Sequence, residues 1–107
     1  MKNVYVRKRN HRFKSKVRDR LVKAGFTVFR CAGSKPIDLV AVSKNSNGKP
    51  IVLLIECKKS CILPETDRKK LIYLAKETGG IPIFAYPEDN TIILYDLIDN
   101  KFWRKSK

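Results

Sequence analysis

The sequence predicts an α/β fold, a mixed five-stranded β-sheet flanked by helices in the order α-β-β-β-α-β-β. Three observations carry that prediction. Phe13, Val17 and Leu21 recur every four residues in a basic segment, the stripe of a helix with one apolar face. Two β-rich apolar runs flank Asn47-Gly48, a strong hairpin signal. A segment opening at Pro64 and closing at Gly79-Gly80 has the start and stop residues of a second helix.

The elements follow in order. Residues 1–10 are polar and basic and read as an arm, partly mobile, ahead of a helix from about His11 to Ala24, which Gly25 ends. Thr27–Ala32 reads as a strand broken by Gly33, Ser34 and Pro36. Leu39–Ser43 and Ile51–Lys58 form the next two strands. The second helix runs to about Thr78 with Leu71, Leu74 and Ala75 inward. Ile81–Ala85 is a short strand, residues 87–90 a turn, and Thr91–Tyr95 the returning strand. The whole, residues 1–107, fits one domain.

Net charge is +14, and charge of that size on a small domain points to a polyanionic partner. The excess is uneven. Lys2, Arg7, Lys8, Arg9, Arg12, Lys14, Lys16, Arg18, Arg20 and Lys23 face a single acid, Asp19, in the first 23 residues; Lys101, Arg104, Lys105 and Lys107 form a smaller cluster at the tail. A solvated basic face of the ribosomal-protein kind is the plainer explanation, but self-repulsion on this scale has a stability cost without a counter-charge. No apolar run approaches 18 residues, so no membrane span is expected, and no secretory signal is visible. Three cysteines, Cys31, Cys57 and Cys61, are odd in number and sit among apolar residues. They read as core thiols of a protein in a reducing, cytoplasmic setting. With the lone His11 remote from them, they make a poor zinc site.

The acids sit where an apolar strand should carry none. Glu56 and Lys58 close the run IVLLIECK. Residues two apart on a strand share a face, so Glu56 and Lys58 point one way and Cys57 the other. If the hairpin turn centres on Asn47-Gly48, paired positions sum to about 95, which brings Asp38 opposite the Glu56–Lys58 segment. Two carboxylates that close repel unless a cation lies between them. Oxygen donors without His or Cys suit Mg²⁺, with Mn²⁺ an acceptable substitute. Asp38 and Glu56 are thus the candidate ligands, the Cys57 carbonyl a further one, and Lys58 the group that orients water or steadies charge on a phosphoryl oxygen. Singly, each has an ordinary reading: Asp38 a turn residue, Glu56 and Lys58 a surface ion pair. Together with the charge they suggest a metal-dependent nuclease.

Phe26–Lys58 resembles the archaeal Holliday junction resolvases of the PD-(D/E)xK nuclease superfamily. The matching words are GF, RCAGSK, IDLVAV, IECK and, at residues 79–86, GGIPIFAY. The resemblance implies a restriction-endonuclease-like fold and a symmetric homodimer that cuts opposed strands of a four-way DNA junction. It implies Asp38 and Glu56 as Mg²⁺ ligands and Lys58 as the residue assisting the attacking water. It also puts Arg30 and Ser34 on the phosphate backbone near the active site. Arg7, Lys8, Arg9, Arg12, Lys14 and Lys35 join them as candidate DNA contacts. The family also carries a Glu on its first helix. Here that position falls near Lys14, with Ser15 and Lys16 beside it and no acid; a basic residue there would grip DNA and weaken a second metal position. The readings that compete with a resolvase are a related nuclease acting on another branched or nicked DNA, a resolvase-like module that binds junctions without efficient cutting, and a plain ribosomal or RNA-binding protein.

Overall fold

The protein's structure, a computed structural model, describes residues 4–32 and 36–104, with side chains in the first helix from residue 10 onward. The elements are α1 (Val4–Lys23), β1 (Thr27–Arg30), β2 (Leu39–Lys44), β3 (Pro50–Cys57), α2 (Glu65–Thr78), β4 (Ile81–Glu88), β5 (Thr91–Asp96) and β6 (Lys101–Phe102). They form one mixed sheet in the order β1-β2-β3-β4-β5-β6. All neighbours are antiparallel except β3 and β4, which run parallel, with α2 in the connection between them. A parallel pair needs such a crossover.

The helices cover opposite faces. Phe13, Val17 and Leu21 of α1 pack with Leu39, Ala41, Leu53, Ile55, Cys57, Ile83 and Ala85. Leu71 and Ala75 of α2 pack with Leu54 on the other face, as the alternation of strand side chains requires. Leu74, expected inward, is half-buried. Cys57 is a core thiol and Cys31 half-buried, but Cys61 is exposed, because it lies in the loop after β3 with φ at 64°.

Several boundaries differ from the sequence reading for identifiable reasons. The segment 1–10 is not an arm through most of its length: α1 begins at Val4, and Arg7, Lys8 and Arg9 belong to its first turns. Gly25, at φ 94°, ends α1 with its N–H donating to the Val22 carbonyl at 3.0 Å. The hairpin between β2 and β3 is not a two-residue turn on Asn47-Gly48. Its loop runs from residue 45 to 49, and the Asn45 side chain accepts from the N–H groups of Asn47 (2.8 Å) and Lys49 (2.9 Å). Conversely, Pro87 and Glu88 are strand, paired with Ile92 and Thr91. The turn is only Asp89-Asn90, both at positive φ (47° and 63°), as a primed hairpin requires. Pro87 is tolerated because β3 pairs β4 only as far as Ala85, leaving no ladder bond for it to lose on that side.

The sheet has six strands, not five. The sixth strand is two residues long and follows Asn100 at φ 54°. It carries the chain to Trp103, whose ring meets Phe26 edge-on at 5.8 Å.

Candidate active site

β2 and β3 fix the relation of the two acids. Leu39 pairs with Ile55 and Val40 with Leu54; one step outward sets Asp38 opposite Glu56, a residue short of the position expected from the shorter turn. Asp38 stands just before β2, where the chain passes between two neighbours. Its carbonyl accepts from Cys31 N–H at 2.9 Å and its N–H donates to the Ile55 carbonyl at 2.8 Å. The side chain is held as firmly. Asp38 Oδ2 accepts the Cys57 N–H at 2.8 Å, and Oδ1 lies 3.1 Å from Lys14 Nζ of α1.

Glu56 is 3% exposed, at the end of a strand whose other buried residues are apolar. Its Oε2 lies 3.3 Å from Lys58 Nζ. Burial, the charge of Asp38 and a side-chain hydrogen bond with Asp38 push the Glu56 carboxyl up to about 8, against a smaller downward pull from Lys58. Two carboxyls in contact, one of them buried, form a site that stabilises a bound cation or a shared proton. The Cys57 thiol, on the opposite face among the α1 core residues, is pushed up by burial first and by Asp38 second. A raised, buried thiol is inert as a nucleophile; only the Cys57 backbone reaches the acids.

Asp38, Glu56 and Lys58 are therefore brought together. Among the other candidates, Lys14 faces Asp38 rather than open solvent. Arg30, exposed on the edge strand β1, donates from a terminal guanidinium nitrogen to Ser15 Oγ at 2.6 Å, which fixes its head between α1 and the sheet. Arg12 is exposed on α1. The side chains of Arg7, Lys8 and Arg9, and the whole of Ser34 and Lys35, lie outside the described residues, as do Lys105 and Lys107. Two roles are not visible in the sequence. Lys14 reads there as a phosphate contact, but its helical phase, one residue past buried Phe13, turns it to the sheet. Ser15, which steadies Arg30, carries no signal of its own.

The donor set suits a hard divalent cation: two carboxylates, without imidazole or thiolate. Among the described residues no third His, Cys, Asp or Glu joins them, so any ion there completes its shell from solvent or substrate. Among the described residues, no helix is long and apolar enough to cross a membrane.

Comparison with known proteins is decisive for kinship. Over 77 residues, 68% of this chain, the sequence is 38% identical to the crossover junction endodeoxyribonuclease Hjc of Methanocaldococcus jannaschii. The chain is a relative of the archaeal Holliday junction resolvases. The match spans 54% of that relative's length, about half. The crystal structure of Hjc from Archaeoglobus fulgidus, a Holliday junction resolvase, superposes with a TM-score of 0.64 over 89% of this chain and 87% of that one, at 24% identity. The resolvase fold read from the sequence is thus the fold observed, with the added sixth strand. No family model matches the sequence.

Proposed function

We propose that this chain is a structure-selective endodeoxyribonuclease that hydrolyses phosphodiesters at four-way DNA junctions with Mg²⁺, Mn²⁺ being able to substitute. The observation that carries the proposal is the meeting of Asp38, Glu56 and Lys58 at the ends of β2 and β3, in a basic relative of the archaeal resolvases. A single domain, a homodimer presenting two such sites to opposed strands, a cytoplasmic location and a role in DNA recombination and repair complete the reading.

Asp38 and Glu56 would hold the ion, with the Cys57 carbonyl as a further ligand. When bound, the ion supplies Lewis-acid polarisation of the scissile phosphate and of the attacking water. The protein's own groups do the rest. Lys58, 3.3 Å from Glu56 Oε2, carries three donors that orient water and oppose charge growing on a phosphoryl oxygen. Arg30, steadied by Ser15, offers a guanidinium fork to a backbone phosphate. Ser34 and Lys35 extend that contact, and Arg7, Lys8, Arg9 and Arg12 of α1 draw in the duplex arms. Recognition rests on junction shape and phosphates rather than base edges.

A second reading has one observation in its favour. Lys14 already neutralises Asp38, and a site satisfied this way could grip junctions while cutting them poorly. Incubating the chain with a labelled four-way junction and Mg²⁺, beside linear duplex of the same sequence, separates the two. Paired nicks on opposed strands support the nuclease; junction-selective binding without product, in Mg²⁺ and in Mn²⁺, supports the binding module.

A further inference from the structure

Among the described lysines of α1, Lys14 is the one whose ammonium points into the acidic pair. Its Nζ lies 3.1 Å from Asp38 Oδ1, and the two side chains keep only 27% and 14% of their exposure. This is not a lysine swinging in solvent. Phe13 before it is locked in the core, and Ser15 after it is bonded to Arg30 at 2.6 Å. The backbone that carries Lys14 is therefore held from both sides. Across the site Lys58 stands against Glu56 in the same way, so each carboxylate already has an ammonium partner. The second oxygen of Asp38 is occupied by the Cys57 N–H. What remains for a metal is the ground between Asp38 and Glu56, with no third acid among the described residues to anchor another ion.

We propose that Lys14 is a built-in cation that holds Asp38 in place and weakens the grip of the acidic pair on its single divalent ion. This rests on the metal-site reading above. The ammonium and the bound ion share Asp38 and repel one another. A unit charge about 5 Å from a divalent ion weakens its binding by roughly tenfold even at the dielectric of water, and by more where water is excluded. The arrangement holds Asp38 in place before any ion arrives, at the cost of weaker metal affinity. It also leaves a positive charge beside the ion, where a phosphate would approach.

The test is a Mn²⁺ titration of the full chain without DNA, followed by electron paramagnetic resonance and by calorimetry. The wild type should bind one ion per chain, and Asp38→Asn should lose it. Lys14→Met keeps the aliphatic stem and removes the charge; it should still bind one ion, about tenfold more tightly. Two ions in the wild type, or an unchanged affinity in Lys14→Met, would overturn the proposal while leaving the metal site standing. If the wild type binds no Mn²⁺ that Asp38→Asn abolishes, the metal-site reading itself falls and this one with it.

Discussion

Asp38 Oδ2 accepts the backbone N–H of Cys57 at 2.8 Å, across 19 residues of sequence. One carboxylate therefore ties the start of β2 to the end of β3 while its other oxygen faces Lys14. The same residue has a structural duty and a proposed chemical one, and substitutions can separate them.

Asp38→Asn retains a side-chain carbonyl for the Cys57 N–H but removes the charge. It should fold with near wild-type stability, bind junctions and fail to cut them. Asp38→Leu leaves that N–H without an acceptor and should cost about 1–3 kcal/mol in denaturant unfolding. Equal stability of the two variants would show that the bond contributes nothing.

Glu56 gives a pH signature. Its folded carboxyl is raised to about 8 from an ordinary 4.5, first by burial and then by Asp38. Between those values the folded protein binds the proton more tightly than the unfolded chain does. The contribution of Glu56 to stability is therefore full below pH 4.5 and is lost as pH rises through about 8. In the metal-free protein Glu56→Gln should raise the melting temperature more at about pH 9 than at about pH 5. Divalent ions, which need the carboxylate, should bind more tightly as pH climbs toward about 8 and release a proton as they do. Calorimetry in two buffers of different ionisation enthalpy measures that proton.

The basic first turns of α1 should act through charge alone. Replacing Arg7, Lys8, Arg9 and Arg12 with Ala should weaken binding to junction and linear duplex alike. The salt dependence should become shallower by about 0.9 in log–log slope for each phosphate no longer neutralised. A weakening confined to junctions would mean that this stretch reads DNA shape.

Core packing offers a plainer check. Leu71 is fully buried on α2 against Leu54, so Leu71→Ala should cost about 2–5 kcal/mol in denaturant unfolding. Tyr73, two residues on and 62% exposed, should change stability by less than about 0.5 kcal/mol when made Ala.

How much of this is legible in the sequence depends on how local the signal is. The stripe Phe13, Val17, Leu21 reports burial directly, and all three are buried. Pro64 and Gly79 bracket α2 as read, with Gly79 at φ 80°. The facing of Asp38 and Glu56 needs only a hairpin of suitable length. The register is exacting: a pairing one residue longer would set Asp38 against Cys57, on the face away from Glu56, and it is the loop from residue 45 to 49, with Lys44 paired to Pro50, that aligns Asp38 with Glu56. Side-chain contacts between distant elements are not legible. Nothing in KSK at 14–16 says that Lys14 turns to Asp38 and Ser15 to Arg30; that follows from how α1 lies on the sheet. A two-residue strand such as β6 is too short to show any period. Pro87 reads as a turn because its place beyond the end of β3 is a property of the assembled sheet.

The most direct test of the central claim is cleavage of a strand-labelled four-way junction in Mg²⁺ by the wild type and by Asp38→Asn. The wild type should give paired nicks on opposed strands, and Asp38→Asn should bind the junction with undiminished strength and give no product. Normal cutting by Asp38→Asn, or no cutting by the wild type in either Mg²⁺ or Mn²⁺, would contradict that claim.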